Sequence, residues 1–192
     1  MCYVKSSFGM RQLAWIGDDP IKNPGVLEPH MYADADLAGC FISNRSTSGR
    51  HFDLEGPNSL FPISAFSKRQ GSVSTSTPEA EMVAAFTAVK DAMLPLGHLL
   101  DTILPGRKRL GVFHEDNTAM ICICRSGRNP TMRHIGRTHR IAVSWLHEVL
   151  GKDTDRIGPN DIETWYTNSD RMRADIYTKA FTDSIKWEHA TK

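Results

Sequence analysis

The stretch from Ser76 to Ala92 constrains the fold more than any other part of the chain. Thr77 is a good N-cap, Pro78 falls in the first turn where its missing N–H costs nothing, and Glu79 suits the positive end of a helix dipole. Ala85, Ala88 and Ala92 recur at helical spacing, with Met82, Val83, Phe86 and Val89 around them. Small residues flanked by large apolar ones let a helix lie close against a sheet, so this spacing predicts a core helix over 77–92. Pro95 is expected to break or kink it.

Strand patterns lie on both sides. Met31 to Ala33 predicts a short strand ending on Asp34, and Arg50–Leu54 and Leu60–Phe66 predict two antiparallel neighbours parted by Gly56, Pro57 and Asn58. After the helix come a fourth strand at Arg109–His114 and a short helix at Asn117–Ser126 stopped by Gly127. A longer helix at Arg133–Leu150, a fifth strand at Asp161–Tyr166 and a last helix from Ala174 to about His189 follow. The order β-β-β-α-β-α-α-β-α predicts an α/β fold, a five-stranded mixed sheet with helices on both faces, formed by residues 29–192. Residues 1–28, with a short strand near Gln12–Gly17 and turn chemistry from Asp18 to Gly25, are expected to be an appendage.

A net charge of +1 excludes a blanket affinity for nucleic acid, but charge is unevenly spread. Between Arg107 and Arg140 eight Lys or Arg stand against two acids, a net of +6 and a candidate polyanion surface. Four cysteines make no disulfide framework. With no apolar run of about 18 residues and no signal-peptide pattern, neither a membrane span nor secretion is expected.

Four acids fall at element ends: Asp34, Glu81, Asp116 and Asp175. Carboxylates aimed from such ends into one depression suit Mg²⁺, and two ions roughly 4 Å apart can drive in-line attack on a phosphodiester. Taken singly, an Asp at a helix start is more often a cap and Glu81 a solvated helix residue. Periodicity alone does not bring the four together.

The residues around each acid do carry a resemblance. Tyr32-Ala-Asp-Ala-Asp-Leu-Ala-Gly39 with Arg45-Ser-Thr-Ser-Gly49, Ser76-Thr-Pro-Glu-Ala-Glu81, Glu115-Asp-Asn-Thr-Ala119 and Ala174-Asp-Ile-Tyr-Thr-Lys179 occur in that order. They resemble Y-S/A-D-A-D-W/F-A-G with R-S-T-S-G, S-S-T-E-A-E, C-D-N-x-S/A and A-D-I/L-F/L-T-K of the ribonuclease H domain of copia-type (Pseudoviridae-like) LTR retrotransposon polyproteins. The resemblance spans Tyr32 to about Phe181. Leu37, where the family usually has an aromatic residue, and Met172-Arg173 depart from the pattern without removing an acid.

The resemblance implies a ribonuclease H-like fold and an endonuclease that hydrolyses the RNA strand of RNA/DNA hybrids with two Mg²⁺ ions, Mn²⁺ substituting. Asp34, Glu81, Asp116 and Asp175 would be the catalytic metal ligands. It further implies a reverse transcriptase in the same polyprotein as partner, residues 1–28 as a remnant of its connection region, and an intracellular setting, cytoplasmic in virus-like particles and nuclear. The rivals are a silent module that keeps the fold and binds nucleic acid, and a related nuclease acting on DNA.

Asp36 competes with Asp34, and alignment favours Asp34. The 133–150 helix would place Arg133, Arg137 and Arg140 on one face to grip a phosphate backbone, opposite Ile141, Ala142, Trp145, Leu146 and Val149. Ser46, Thr47 and Ser48 are candidate phosphate or sugar contacts, although such runs are also turn material. Asn117 is a candidate for reading 2′-hydroxyls, or a helix cap. His134 and His139 are expected to belong to the basic helix, and Cys122 and Cys124 to pack as small hydrophobes.

Overall fold

The computed structural model describes residues 12–104, 106–181 and 187. Its strands are β1 (Trp15–Ile16), β2 (Glu28–Asp36), β3 (Thr47–Gly56), β4 (Ser59–Arg69), β5 (Gly111–Glu115) and β6 (Ile162–Tyr166). They form one sheet in the order β1-β4-β3-β2-β5-β6, antiparallel from β1 to β2 and parallel from β2 to β6. The mixed α/β architecture is the expected one, with six strands among the described residues rather than five. The extra strand comes from the N-terminal segment: Trp15 pairs with Leu60, and the Asp18 carboxylate accepts from Ser59 Oγ at 2.6 Å and Asn58 N at 2.8 Å.

The alternation of β2 separates two cores. Met31, Ala33 and Ala35 lie in the main core under the helices, whereas Tyr32 joins Met172 and Ala174 in a smaller cluster. Asp34 shares the parity of Tyr32. Among the described residues the second face is covered by a 3₁₀ turn, Arg173–Tyr177, where a helix was expected from Ala174. Residues 182–186, 188 and 189 of that expected helix lie outside the described residues.

The core helix is longer than its pattern. It comprises α1 (Thr77–Ala88), a π turn at Val89–Met93 and α2 (Leu94–Ile103), and Ser76 rather than Thr77 is its N-cap. Pro95 lacks the N–H that would meet the carbonyl of residue 91, and the π turn lets the helix continue past it: Leu94 N donates to Val89 O. By length and composition the stretch Thr77–Ile103 is apolar enough to cross a membrane, although Lys90 and Asp91 interrupt its apolar run. Here it packs on β2 and buries Glu79 and Glu81, as a core helix does.

After β5, α3 (Thr118–Ser126) is capped by the Asn117 side chain and ended by Gly127 in the left-handed region. The predicted helix over 133–150 is broken. In its place stand α4 (Ile135–Thr138), an irregular link in which Arg140 has φ +58°, and α5 (Val143–Leu150). The cause is tertiary. Buried Glu79 accepts from Thr75 N at 2.8 Å and Thr75 Oγ1 at 2.6 Å, and its other oxygen meets His134 Nε2 at 3.1 Å and His139 Nε2 at 3.2 Å. Both histidines are pinned to the helix N-terminus, and the chain turns out of helix to reach it.

Candidate metal centre

Asp34 lies near the carboxyl end of β2 and Asp116 directly follows β5. The parallel register pairs His30 with Val112, Met31 with Phe113 and Tyr32 with His114. Carried two residues further, it sets Asp34 beside Asp116. Carboxyl ends of neighbouring parallel strands are where open α/β sheets bind ligands.

Asp175 reaches the same place through side-chain fastenings. Arg173 donates to Asp53 and, at 2.9 Å, to Glu55, both on β3. Tyr177 OH meets His51 Nδ1 at 2.8 Å, and Ser67 Oγ donates to Tyr177 O at 2.5 Å. Gly49, opposite Asp34 on β3, makes the close approach possible: a Cβ there would lie 2.8 Å from Thr178 Cγ2 and 2.9 Å from Ala174 O. Gly49→Ala is therefore expected to cost about 1–3 kcal/mol of stability by overpacking, and to weaken divalent-cation binding by displacing Asp175. Denaturant midpoints and Mn²⁺ titration of the variant check this.

Carboxylate oxygens of Asp34, Asp116 and Asp175 lie within 4.8 Å of one another, and so do those of Glu81, Glu115 and Asp116. The four acids singled out in the sequence thus converge in two groups joined by Asp116. Residue exposures are 2% for Asp34, 3% for Glu81, 0% for Glu115 and 8% for Asp175. Burial lifts Asp34 above the ordinary carboxylate range, with Lys179 and Thr178 opposing and Asp116 adding repulsion. Glu81 is pushed up to about 11 by burial, then by Glu115, Asp34 and Asp116. Burial also holds Glu115 well above its usual range.

Thr178 Oγ1 donates to Asp34, and Lys179 Nζ lies 3.5 Å from Asp34 Oδ1 and 2.7 Å from Asp175 Oδ1. Ser169 Oγ donates to Asp116 Oδ2 at 2.6 Å. Three members of this site escaped the sequence reading. Thr178 and Lys179 stand three and four residues after Asp175 within the fourth matching block, and Glu115 stands where the third pattern has Cys.

Asp36 belongs to neither acid group. Its Oδ1 accepts from Thr47 N at 2.7 Å, and a side chain at Gly39 would collide with its carboxylate, so it fastens the turn after β2. The expected surface role of Ser46 and Ser48 needs correction. Both are buried: Ser46 Oγ accepts from Ala38 N at 3.2 Å and Ser48 Oγ from Gln70 Nε2 at 3.0 Å, which leaves Thr47, half-buried, nearest the solvent. Arg133, Arg137 and Arg140 are exposed but no longer share one helix face. Arg137 and Arg140 instead join Lys68 and Arg69 around a cavity of about 470 Å³. Arg107 and Arg109 drop out of the basic surface, since Arg107 pairs with Asp101 and Arg109 with Glu28 and Glu163.

The donor set fits a divalent cation. It consists of hard carboxylate oxygens, and the buried Oε2 atoms of Glu81 and Glu115 have no hydrogen-bond partner. Burial raises Asp175 to about 6 from its ordinary 3.8, Lys179 pulling it down and Asp34 pushing it back up. A carboxyl raised by folding favours the fold fully below about pH 4 and loses that contribution as pH rises through about 6. Without metal, Asp175→Asn is thus expected to gain in Tm relative to the parent as pH is raised from 4 to 7, and scanning calorimetry of both proteins measures the difference.

No family model matches the chain. Among solved structures it is similar to the N-terminal RNase H domain of a Mycobacterium tuberculosis protein, solved as a fusion with maltose-binding protein, at 13% identity and a TM-score of 0.47 over 85% of this chain and 96% of that one. It is also similar to the prototype foamy virus protease–reverse transcriptase, at 13% identity and a TM-score of 0.41 over 94% of this chain and 22% of that one.

Proposed function

We propose that this chain is a metal-dependent endonuclease that cuts the RNA strand of RNA/DNA hybrids, as the ribonuclease H part of a copia-type retroelement polyprotein. The observation that carries this reading is the convergence of Asp34, Glu81, Asp116 and Asp175 at the carboxyl ends of β2 and β5. Their residues match, block by block, the motif acids of the family the sequence resembles. Two acid groups sharing one aspartate suit two Mg²⁺ ions, and Mn²⁺ meets the same oxygen donors.

Asp34, Glu81, Asp116 and Asp175 would hold divalent cations there, which would supply Lewis acidity for the attacking water and the leaving oxygen. The protein's part is placement. Asp116 belongs to both groups and fixes their separation, Ser169 orients its carboxylate, and Thr178 orients that of Asp34. Exposed Arg137 and Arg140, with Lys68 and Arg69, form the cationic cleft for a phosphate backbone, and Arg133, Thr47 and Asn117 are further contacts. A reverse transcriptase of the same polyprotein is the proposed partner that presents the hybrid.

A silent module that only grips nucleic acid is the second reading, and Lys179 favours it: its ammonium already bridges Asp34 and Asp175. The test is a set of duplexes, RNA/DNA, DNA/DNA and RNA/RNA, with each strand labelled in turn and incubated with the protein and Mg²⁺. Cutting of the RNA strand of the hybrid alone is expected. Equal cutting of DNA/DNA supports the DNA nuclease, and binding without any cutting supports the silent module.

A further inference from the structure

The third matching block departs from its pattern at one position, with Glu115 in place of Cys. Glu115 ends β5 at 0% exposure. Its Oε1 accepts from Asn117 N at 3.0 Å, whereas its Oε2 is buried without a hydrogen-bond partner, as is Oε2 of Glu81. Oxygens of Glu81, Glu115 and Asp116 lie within 4.8 Å of one another.

The two acid groups are not equivalent. Asp34 and Asp175 share an internal cation, Lys179. Among the described residues no Lys, Arg or His pairs within 4.0 Å with Glu81, Glu115 or Asp116, and Lys179 reaches Glu81 and Asp116 only as a more distant charge. Buried carboxylates with idle oxygens are costly unless paired or coordinated. A hard cation among the three satisfies those oxygens; a thiol at residue 115 offers it a poor donor.

We propose that Glu115 is a cation ligand, and that Glu81, Glu115 and Asp116 form a site that takes a divalent cation before nucleic acid binds. The assignment rests on reading these acids as a metal centre. It makes the first ion a resident of the free protein, while the Asp34–Asp175 side, held by Lys179, is the weaker one without substrate.

The test is a titration of the full chain with Mn²⁺ in the absence of nucleic acid, following the free-ion paramagnetic resonance signal, with melting curves in parallel. One ion per chain is expected. Glu115→Gln and Glu115→Cys should each weaken it more than about 10-fold, Asp175→Asn should weaken it much less, and the Mn²⁺-induced rise in Tm should shrink in both Glu115 variants. Wild-type affinity in a folded Glu115→Gln protein overturns the proposal, as does a wild type that takes up no Mn²⁺. If Glu115→Gln fails to fold, Glu115→Cys, which restores the pattern's residue, decides in the same way. Hybrid cleavage assayed alongside keeps the two readings apart. Cleavage with Mn²⁺ affinity unchanged in the variants removes the role of Glu115 alone, whereas Glu115-dependent Mn²⁺ binding without cleavage removes the nuclease reading alone.

Discussion

Asp116→Asn is expected to reduce cleavage of an RNA/DNA hybrid by more than about 100-fold, since even partners that only support metal ligands are worth 10–100-fold. Asp116 is the member common to both acid groups, so its loss weakens each of them. The change is nearly isosteric, and the amide oxygen can still accept from Ser169 Oγ. It also removes a negative charge that raises Asp34 and Glu81. Metal-free stability should therefore hold or rise while activity falls. Single-turnover cleavage in Mg²⁺, set beside a melting curve, separates this outcome from simple misfolding.

Arg173→Met is expected to be the most damaging single change to the fold outside the main core. Arg173 serves both Asp53, which is 0% exposed, and Glu55, while stacking on the Tyr32 ring at 5.2 Å. Truncating one partner of a buried ion pair typically costs about 3–5 kcal/mol, a fall in Tm of roughly 10 °C for a domain of this size. The Arg173–Tyr177 turn would loosen with it, so Asp175 should leave the acid group and cleavage should fall as well. Thermal denaturation and cleavage of the variant measure the two effects. Asp53→Asn, which keeps an acceptor in place, is expected to cost less.

Much of the scaffold is legible in the sequence because it rests on local rules. The alternation of β2, the Asn117 cap and the Gly127 stop of α3 all follow from neighbours in the chain. Asp34, Glu81, Asp116 and Asp175 were found through the wording of four blocks, since periodicity cannot show that distant ends meet. What escaped depends on long-range contacts. The break after Thr138 needs Glu79, some sixty residues upstream, to draw in His134 and His139. The burial of Ser46 and Ser48 depends on Ala38 and Gln70, which hydrogen-bond to their hydroxyls from outside the run. Gly49 follows a run that reads as turn material, yet its role is to admit the turn that carries Asp175. Pro95 signalled a break correctly in kind, but a π turn absorbs it without ending the helix.

The most direct measurement is anomalous diffraction from crystals soaked in Mn²⁺. A strong peak is expected among Glu81, Glu115 and Asp116, with any second, weaker peak beside Asp34 and Asp175. Crystals that bind Mn²⁺ only elsewhere, or that show these carboxylates turned away from one another, would contradict it.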